Sequence, residues 1–326
     1  MKFATIGTSW ITQCYSKAAK YTGLWELEAV YSRNNDTALA FAEAQGANRY
    51  YTNLQALAEN KDIEAVYIAS PNSLHYAQSK QMLSAGKHVI CEKPATVTAD
   101  EYRELRTLAK NKGLIYTEAI MSMHVPAFQL LQSEIKKIGT IATAHIDYCQ
   151  LSSKYPALAR GELPNIFNPA HCTGALMDLG VYNLYFIVSL FGKPNSIVSS
   201  SAFLYTGADY MTGGIFVYDD KQIAFTCAKT GQGFSQSEII GDKGTIGIDS
   251  ISQLTGITRR VAKSEQTEEL VPFEVDRTWI MSHEALNFHR FITDPTSLEF
   301  YEHLHDIAQN VRDVCDTIRQ QNKFQF

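Results

Sequence analysis

Short apolar runs alternate with helix-length segments through the first third of the chain. Residues 3–6 form an apolar strand, followed by Gly7 and a helical stretch from about 11 to 21. A second strand covers 27–31, and an alanine-rich helix from 37 to 45 stops at Gly46. The run at 63–69 is a third strand, 73–85 a helix closed by Gly86, 88–91 a strand, 99–112 a helix closed by Gly113, and 114–117 another strand. Strands alternating with helices of this length predict βαβ units and a parallel sheet.

Past about residue 120 the pattern changes. A helix at 126–137 ends at Gly139, and longer alternating strands follow at 141–150, 195–203, 214–218 and 222–228. Asp219-Asp220 reads as a tight hairpin turn between two of them, and Gly241-Asp242-Lys243-Gly244 joins a second hairpin, 237–240 with 245–248. The segment 299–321 is an amphipathic helix. The pattern predicts an α/β domain over 1–120 and an α+β domain, built on a mostly antiparallel sheet, over 121–326.

Composition excludes more than it selects. Apolar content of 45% and charged content of 19% are ordinary for a globular chain. A net charge of −5 without a Lys/Arg stripe argues against nucleic acid. The apolar stretches read as strand-length, so no membrane span is expected, and the opening run 1–7 is too short and early for a signal peptide. The six cysteines stand singly, at 14, 91, 149, 172, 227 and 315. That spacing suggests neither a metal site nor a disulfide framework, so free thiols in the cytoplasm are expected.

The candidate chemistry lies at strand ends. Gly7-Thr8-Ser9-Trp10-Ile11-Thr12 follows the first strand and opens the first helix, the place of a dinucleotide phosphate turn. Only Gly7 remains of the three fingerprint glycines; Ser9 and Thr12 hold the other two places. The second strand ends Tyr31-Ser32-Arg33, where an NAD site has an acidic residue. Arg33 offers a donor fork to a phosphate instead, which favours NADP over NAD. In Ser70-Pro71-Asn72-Ser73-Leu74-His75, Pro71 shapes a turn, Asn72 can bond a ribose or carboxamide, Ser73 reads as a helix cap, and His75 falls near the cofactor edge. Glu92-Lys93-Pro94 closes the run at 87–91. A lysine leaving a buried strand is not there for packing. Asp178 and Tyr182 are four apart in a mostly apolar helix that begins near Cys172, so both lie on one face. Their burial calls either for a hydrogen-bonded core pair or for a catalytic pair.

Taken together, Glu92-Lys93-Pro94, Glu118-Ala119-Ile120-Met121 with Pro126, residues 174–182 and Ile240-Gly241-Asp242-Lys243-Gly244 resemble the Gfo/Idh/MocA family of oxidoreductases over almost the full chain. The resemblance implies a Rossmann domain followed by a domain with an open, mostly antiparallel sheet that mediates homodimer or homotetramer formation. It implies that Lys93 contacts nicotinamide and substrate, and that Asp178 binds substrate. Tyr182 stands where inositol dehydrogenases have histidine, which is similar to the dihydrodiol and xylose dehydrogenase branch and points to aldoses or trans-dihydrodiols. Met123 stands where relatives often have arginine, so His124 is expected to contact substrate instead. In the loop-rich stretch 151–171, Arg160, Asn165 and Asn168 can bond hydroxyls.

The expected mechanism makes Tyr182 the general acid/base. A free phenol, with a pKa of ~10, is a poor base at neutral pH, and the Lys93 ammonium favours the phenolate. Asp178 orients the substrate. The alternative is a non-catalytic NAD(P)-sensing protein of the same fold; the presence of Lys93, Asp178 and Tyr182 together favours an enzyme.

Overall fold

The structure is a computed structural model describing residues 1–326. In chain order its elements are β1 (Lys2–Ile6), α1 (Trp10–Tyr21), β2 (Glu26–Tyr31), α2 (Asn35–Gln45), β3 (Arg49–Tyr51), α3 (Leu54–Glu59), β4 (Ala65–Ile68), α4 (Asn72–Ser84), β5 (His88–Glu92), α5 (Ala99–Lys112) and β6 (Tyr116–Ala119). Then follow α6 (Pro126–Ile135), β7 (Ile141–Cys149), α7 (Tyr155–Ala159), α8 (Val181–Phe191), β8 (Ser196–Phe203), β9 (Asp209–Val217), β10 (Gln222–Ala228), β11 (Ser237–Gly241) and β12 (Gly244–Ser250). The chain ends with β13 (Thr255–Val261), β14 (Thr267–Val271), α9 (Arg277–Thr293) and α10 (Leu298–Gln321). Two compact units result: Met1–His124 with Asp276–Asp306, and Val125–Val275 with Ile307–Phe326. The division is therefore not the single cut expected near residue 120, because the segment Asp276–Asp306 returns to the first unit.

In the first unit, the six strands pair in the order β3-β2-β1-β4-β5-β6, all parallel. The order reverses between β1 and β4, and in such sheets ligands bind outside the carboxyl ends at that switch. β4 and most of β1, β2 and β5 are buried, as a sheet covered on both faces requires, which is why these strands read as continuous apolar runs. α5 begins and ends where the sequence predicts. Thr98 and Glu101 form a reciprocal capping box at its start, and Gly113 in a left-handed conformation closes it. α9 was not foreseen. It packs on α1 and on Trp25, the residue before β2, whose indole donates to the Ala285 carbonyl at 2.9 Å and stacks on Phe288 at 5.4 Å. The polar residues His283, Glu284 and Asn287 obscure its apolar period.

In the second unit, eight strands pair in the order β14-β13-β12-β11-β7-β10-β9-β8. Only the β10–β7 pairing is parallel. β13 and β14 extend the sheet beyond the predicted hairpins. Ile223, Phe225 and Cys227 of β10 are buried, as is every residue of α8 from Val181 to Val188. Asn183 ties α8 to the sheet by donating to the carbonyls of Ile146 and Thr226, at 2.9 and 3.2 Å. The alternate positions face outward: Val198 is 67% and Ile215 41% exposed. The expectation that every apolar stretch is strand-length needs correction. The stretch Pro169–Phe191, which holds two helical turns and α8, is long and apolar enough to cross a membrane by composition alone, but 72% of its apolar window is buried within the protein, as in a core helix.

Candidate functional site: a dinucleotide turn and a lysine-anchored aspartate

The first turn is built around Gly7. Its N–H donates to the Tyr31 carbonyl at 3.1 Å, its φ is +111°, and a Cβ there would lie 2.4 Å from the Ala69 carbonyl oxygen. No other residue fits this backbone without strain. Ser9 takes the N-cap position of α1 in an extended conformation. Its hydroxyl does not cap the helix but meets Thr12 Oγ1 at 3.1 Å. The opening amides of a twelve-residue helix are thus left without a side-chain cap at its positive end. An anion fits there, and a dinucleotide pyrophosphate has the charge to do so. Thr8 and Ile11 are half-buried, and Trp10 is 61% exposed.

The end of β2 is fixed by the short β3: the Ser32 N–H donates to the Tyr51 carbonyl at 3.1 Å. Arg33 is exposed and makes no hydrogen bond or ion pair. At the end of β4 the loop differs in detail from the sequence reading. Pro71 is the N-cap of α4, which begins at Asn72, so Ser73 lies inside the helix and does not cap it. Ser70 Oγ donates to Gln78 Oε1 at 2.6 Å. His75 has both ring nitrogens engaged. Its ring is buried, with Nδ1 2.8 Å from the Pro94 carbonyl oxygen and Nε2 2.7 Å from that of Ser70, and burial pushes its pKa down. It clasps the two loops that leave β4 and β5.

Glu92 also turns inward. Tyr67 Oη donates to its Oε1 at 2.5 Å, the Lys93 N–H donates to its Oε2 at 3.3 Å, and burial raises its pKa. Beside it in the core lies Glu284 of α9, 1% exposed, whose pKa burial raises well above the carboxylate range. The Ala95 N–H donates to Glu118 Oε1 at 3.2 Å. Lys93 therefore leaves a segment pinned on three sides, by Tyr67, His75 and Glu118, and is itself half-buried. Gly7, Ser9, Ser32, Arg33, Ser70, Pro71, Asn72 and Lys93 all follow the carboxyl ends of parallel strands, along one edge of the sheet.

The second unit supplies Asp178 and Tyr182. Residues Leu176–Gly180 form a π-helical turn ahead of α8, so the simple four-residue spacing does not describe their facing. Asp178, with an 18% exposed side chain, is ion-paired with Lys229, whose side chain is 5% exposed. Lys229 Nζ also donates to the Ile166 carbonyl at 3.3 Å and lies 5.4 Å from the centre of the Phe167 ring. Lys229 was missed in the sequence, although a signal was present. It continues the phase of Ile223, Phe225 and Cys227, the inward-facing residues of β10, and an inward lysine demands a partner.

Asp209 is a second omission. It is fully buried, accepts from the Leu176 N–H at 2.8 Å and from Thr212 Oγ1 at 2.7 Å, and burial pushes its pKa up to about 6. Gly174 leaves room for it: a Cβ there would lie 1.9 Å from Asp209 Oδ1. Tyr182 is 7% exposed, with its ring edge-on to Tyr148 at 5.7 Å.

Asn165 and His124, the other expected substrate contacts, differ in burial. Asn165 is exposed, and its carbonyl accepts from Thr173 Oγ1 at 3.0 Å. His124 is buried in the first unit, its ring 6.4 Å from Phe291 and 6.1 Å from Phe300, with Nδ1 3.2 Å from Asn287 Nδ2. Desolvation holds its pKa down at about 3, so the imidazole is neutral and serves packing.

Residues 1–120 match the oxidoreductase family with an NAD-binding Rossmann fold, and residues 129–247 match the GFO/IDH/MocA C-terminal domain. The chain belongs to the Gfo/Idh/MocA family of oxidoreductases. Within this family it is similar to the scyllo-inositol 2-dehydrogenase (NADP(+)) IolU of Bacillus subtilis, 34% identical over 98% of this chain and 97% of that protein. It is 38% identical to the oxidoreductase YgjR of Escherichia coli over 78% of this chain and 77% of the relative. The trans-1,2-dihydrobenzene-1,2-diol dehydrogenase of Macaca fuscata fuscata is 30% identical over 76% of this chain and 72% of its own. Among solved structures, a 3-ketoreductase from Actinomadura kijaniata in complex with TDP-benzene and NADP shares the fold, with a TM-score of 0.83 at 20% identity over 99% of this chain and 98% of that one. The family assignment and the turn around Gly7 agree: the first unit is an NAD(P)-binding Rossmann unit.

Proposed function

We propose that the protein is an NADP-preferring dehydrogenase or reductase acting on a hydroxyl or carbonyl carbon of a cyclic polyol, a sugar or a trans-dihydrodiol. The observation that carries this reading is the Asp178–Lys229 pair. A carboxylate held in place by a buried ammonium, yet keeping a solvent-facing edge, is suited to accept hydrogen bonds from substrate hydroxyls. Tyr182 exchanges the proton of the reacting hydroxyl. Lys93 is assigned the positive charge that the reacting oxygen needs, and Asp178 the orientation of the substrate. The nicotinamide supplies the hydride chemistry when bound.

Arg33, exposed and unpaired behind β2, supports NADP, as does the NADP(+) dependence stated in the name of the Bacillus subtilis relative. That relative's similarity along nearly the whole chain also restores inositol-like cyclic polyols, which the tyrosine at 182 had placed behind aldoses and dihydrodiols. The outward face of the second-unit sheet around Val198 and Ile215 supports a homo-oligomeric reading.

Titration of the purified protein with NADPH and NADH, followed by nicotinamide fluorescence, tests the cofactor. NADPH binding at least about tenfold tighter, lost on Arg33→Ala with NADH unchanged, supports the reading. Equal affinity for both refutes the role of Arg33. Turnover of scyllo-inositol, xylose or a trans-dihydrodiol with NADP then tests the substrate class. Binding without turnover of any of them favours the non-catalytic sensor.

A further inference from the structure

Arg277, the first residue of α9, has no anionic partner. Its guanidinium carbon lies 4.6 Å from the centre of the Trp10 ring, and its Nε is buried without a hydrogen bond. The carboxylates that could neutralise it are engaged. Asp276 caps α9 by accepting from the Trp279 N–H at 2.8 Å, and Glu92 is taken by Tyr67 and the Lys93 amide. Trp10 is the first residue of α1, in the turn Gly7-Thr8-Ser9-Trp10, and its indole is otherwise largely in solvent. Trp10 follows the carboxyl end of β1, the edge of the sheet at which Lys93 also leaves β5, so the guanidinium over its ring stands at that edge.

A guanidinium stacked on an indole keeps its N–H groups in the plane, pointing outward at the rim of the ring. Here the ring belongs to the first residue of α1, the helix whose opening amides have no side-chain cap. Two independent cation-like features, a helix start without a cap and a guanidinium without a counter-ion, are thus brought to one place by segments far apart in the chain. A doubly charged ligand group answers both.

We propose that Arg277, stacked on Trp10 at the first turn of α1, is a cofactor-binding residue that donates its guanidinium fork to the pyrophosphate of the bound dinucleotide. The indole orients the fork in place of the second and third glycines missing from the turn, which would otherwise bring the backbone close to the phosphates. This rests on the cofactor reading of the first unit, and the test separates the two.

The test compares two ligands by fluorescence and calorimetry: NADPH, which carries the pyrophosphate, and adenosine 2′-monophosphate, which does not. Arg277→Ala is expected to weaken NADPH about ten- to a hundredfold, as loss of one or two charge-assisted hydrogen bonds does, and to leave adenosine 2′-monophosphate unchanged. The salt dependence of NADPH binding becomes shallower in the variant. Arg277→Lys, which keeps the charge without the fork, is expected to fall between and guards against a variant that fails to fold. NADPH affinity within about twofold of the unaltered protein in both variants overturns the proposal. So does equal weakening of both ligands, which is the mark of a staple between α1 and α9. If the unaltered protein binds neither NADPH nor NADH, the cofactor reading itself fails.

Discussion

Replacing Lys229 with methionine isolates the interaction on which the second-unit site depends. Methionine retains the length and apolar stem of lysine, so the change removes the ammonium rather than the packing. Lys229 is 5% and Asp178 18% exposed, and breaking a fully buried pair from one side costs about 3–5 kcal/mol. The solvent-facing edge of Asp178 reduces that to about 2–3 kcal/mol, including ~0.5 kcal/mol for the contact with Phe167. Urea unfolding of Lys229→Met, Asp178→Asn and the double variant forms a cycle. The double variant should lose at least about 1.5 kcal/mol less than the two single losses added, because neutralising Asp178 removes the unpaired charge that Lys229→Met leaves behind. In turnover, Lys229→Met should raise KM and lower kcat/KM by about ten- to a hundredfold while NADPH affinity stays unchanged. Additive stabilities within ~0.5 kcal/mol, together with an unaltered KM, would refute the reasoning: Lys229 would then be an incidental neighbour of Asp178.

Four further outcomes follow. Gly7→Ala forces a Cβ into the Ala69 carbonyl at φ +111° and should cost at least about 1–3 kcal/mol in thermal unfolding, with NADPH binding weakened more than tenfold; a variant of normal stability and affinity would show that the turn adjusts freely. Asp209, with a folded pKa of about 6 against an ordinary 3.8, holds its proton more tightly in the folded state, so stability should fall as pH rises from about 4 to about 6, by on the order of 3 kcal/mol; denaturant titrations of Asp209→Asn should show that slope flattened, and an unchanged slope would sink the assignment. Tyr182→Phe should lower kcat about a hundredfold or more with NADPH affinity intact, and Lys93→Ala should cost more in rate than in cofactor affinity; near-full turnover of Tyr182→Phe removes the tyrosine from the chemistry.

The first unit was legible because its signals are local. Strands buried on both faces appear as continuous apolar runs, and α5 carries its own start in Thr98 and Glu101 and its stop in Gly113, so its bounds follow from neighbours a few residues apart. Gly7 could be singled out for the same reason, since it immediately follows an apolar strand. Lys93, Asp178 and Tyr182 were legible as candidates because charged and phenolic groups in apolar segments need an account. The short β3 and α3 were lost because a three-residue strand with the pattern Arg49-Tyr50-Tyr51 has no period to read.

What the tertiary structure decided is which group meets which. Nothing near Asp178 in the chain announces Lys229, and nothing near Trp10 announces Arg277; each pair forms because separate elements desolvate both members in one place. His75 was read as lying near the cofactor edge, and only the fold shows its ring buried between the carbonyls of Ser70 and Pro94. His124 looked like a substrate ligand until α9 and α10 closed Phe291 and Phe300 around it. The sequence by itself determined the alternation of elements and the residues with chemistry to offer, because propensity, capping and hydrophobic period act over a few residues. Only the fold decided which of those residues are buried, paired or left with an unanswered charge, because burial and electrostatics depend on distance in space.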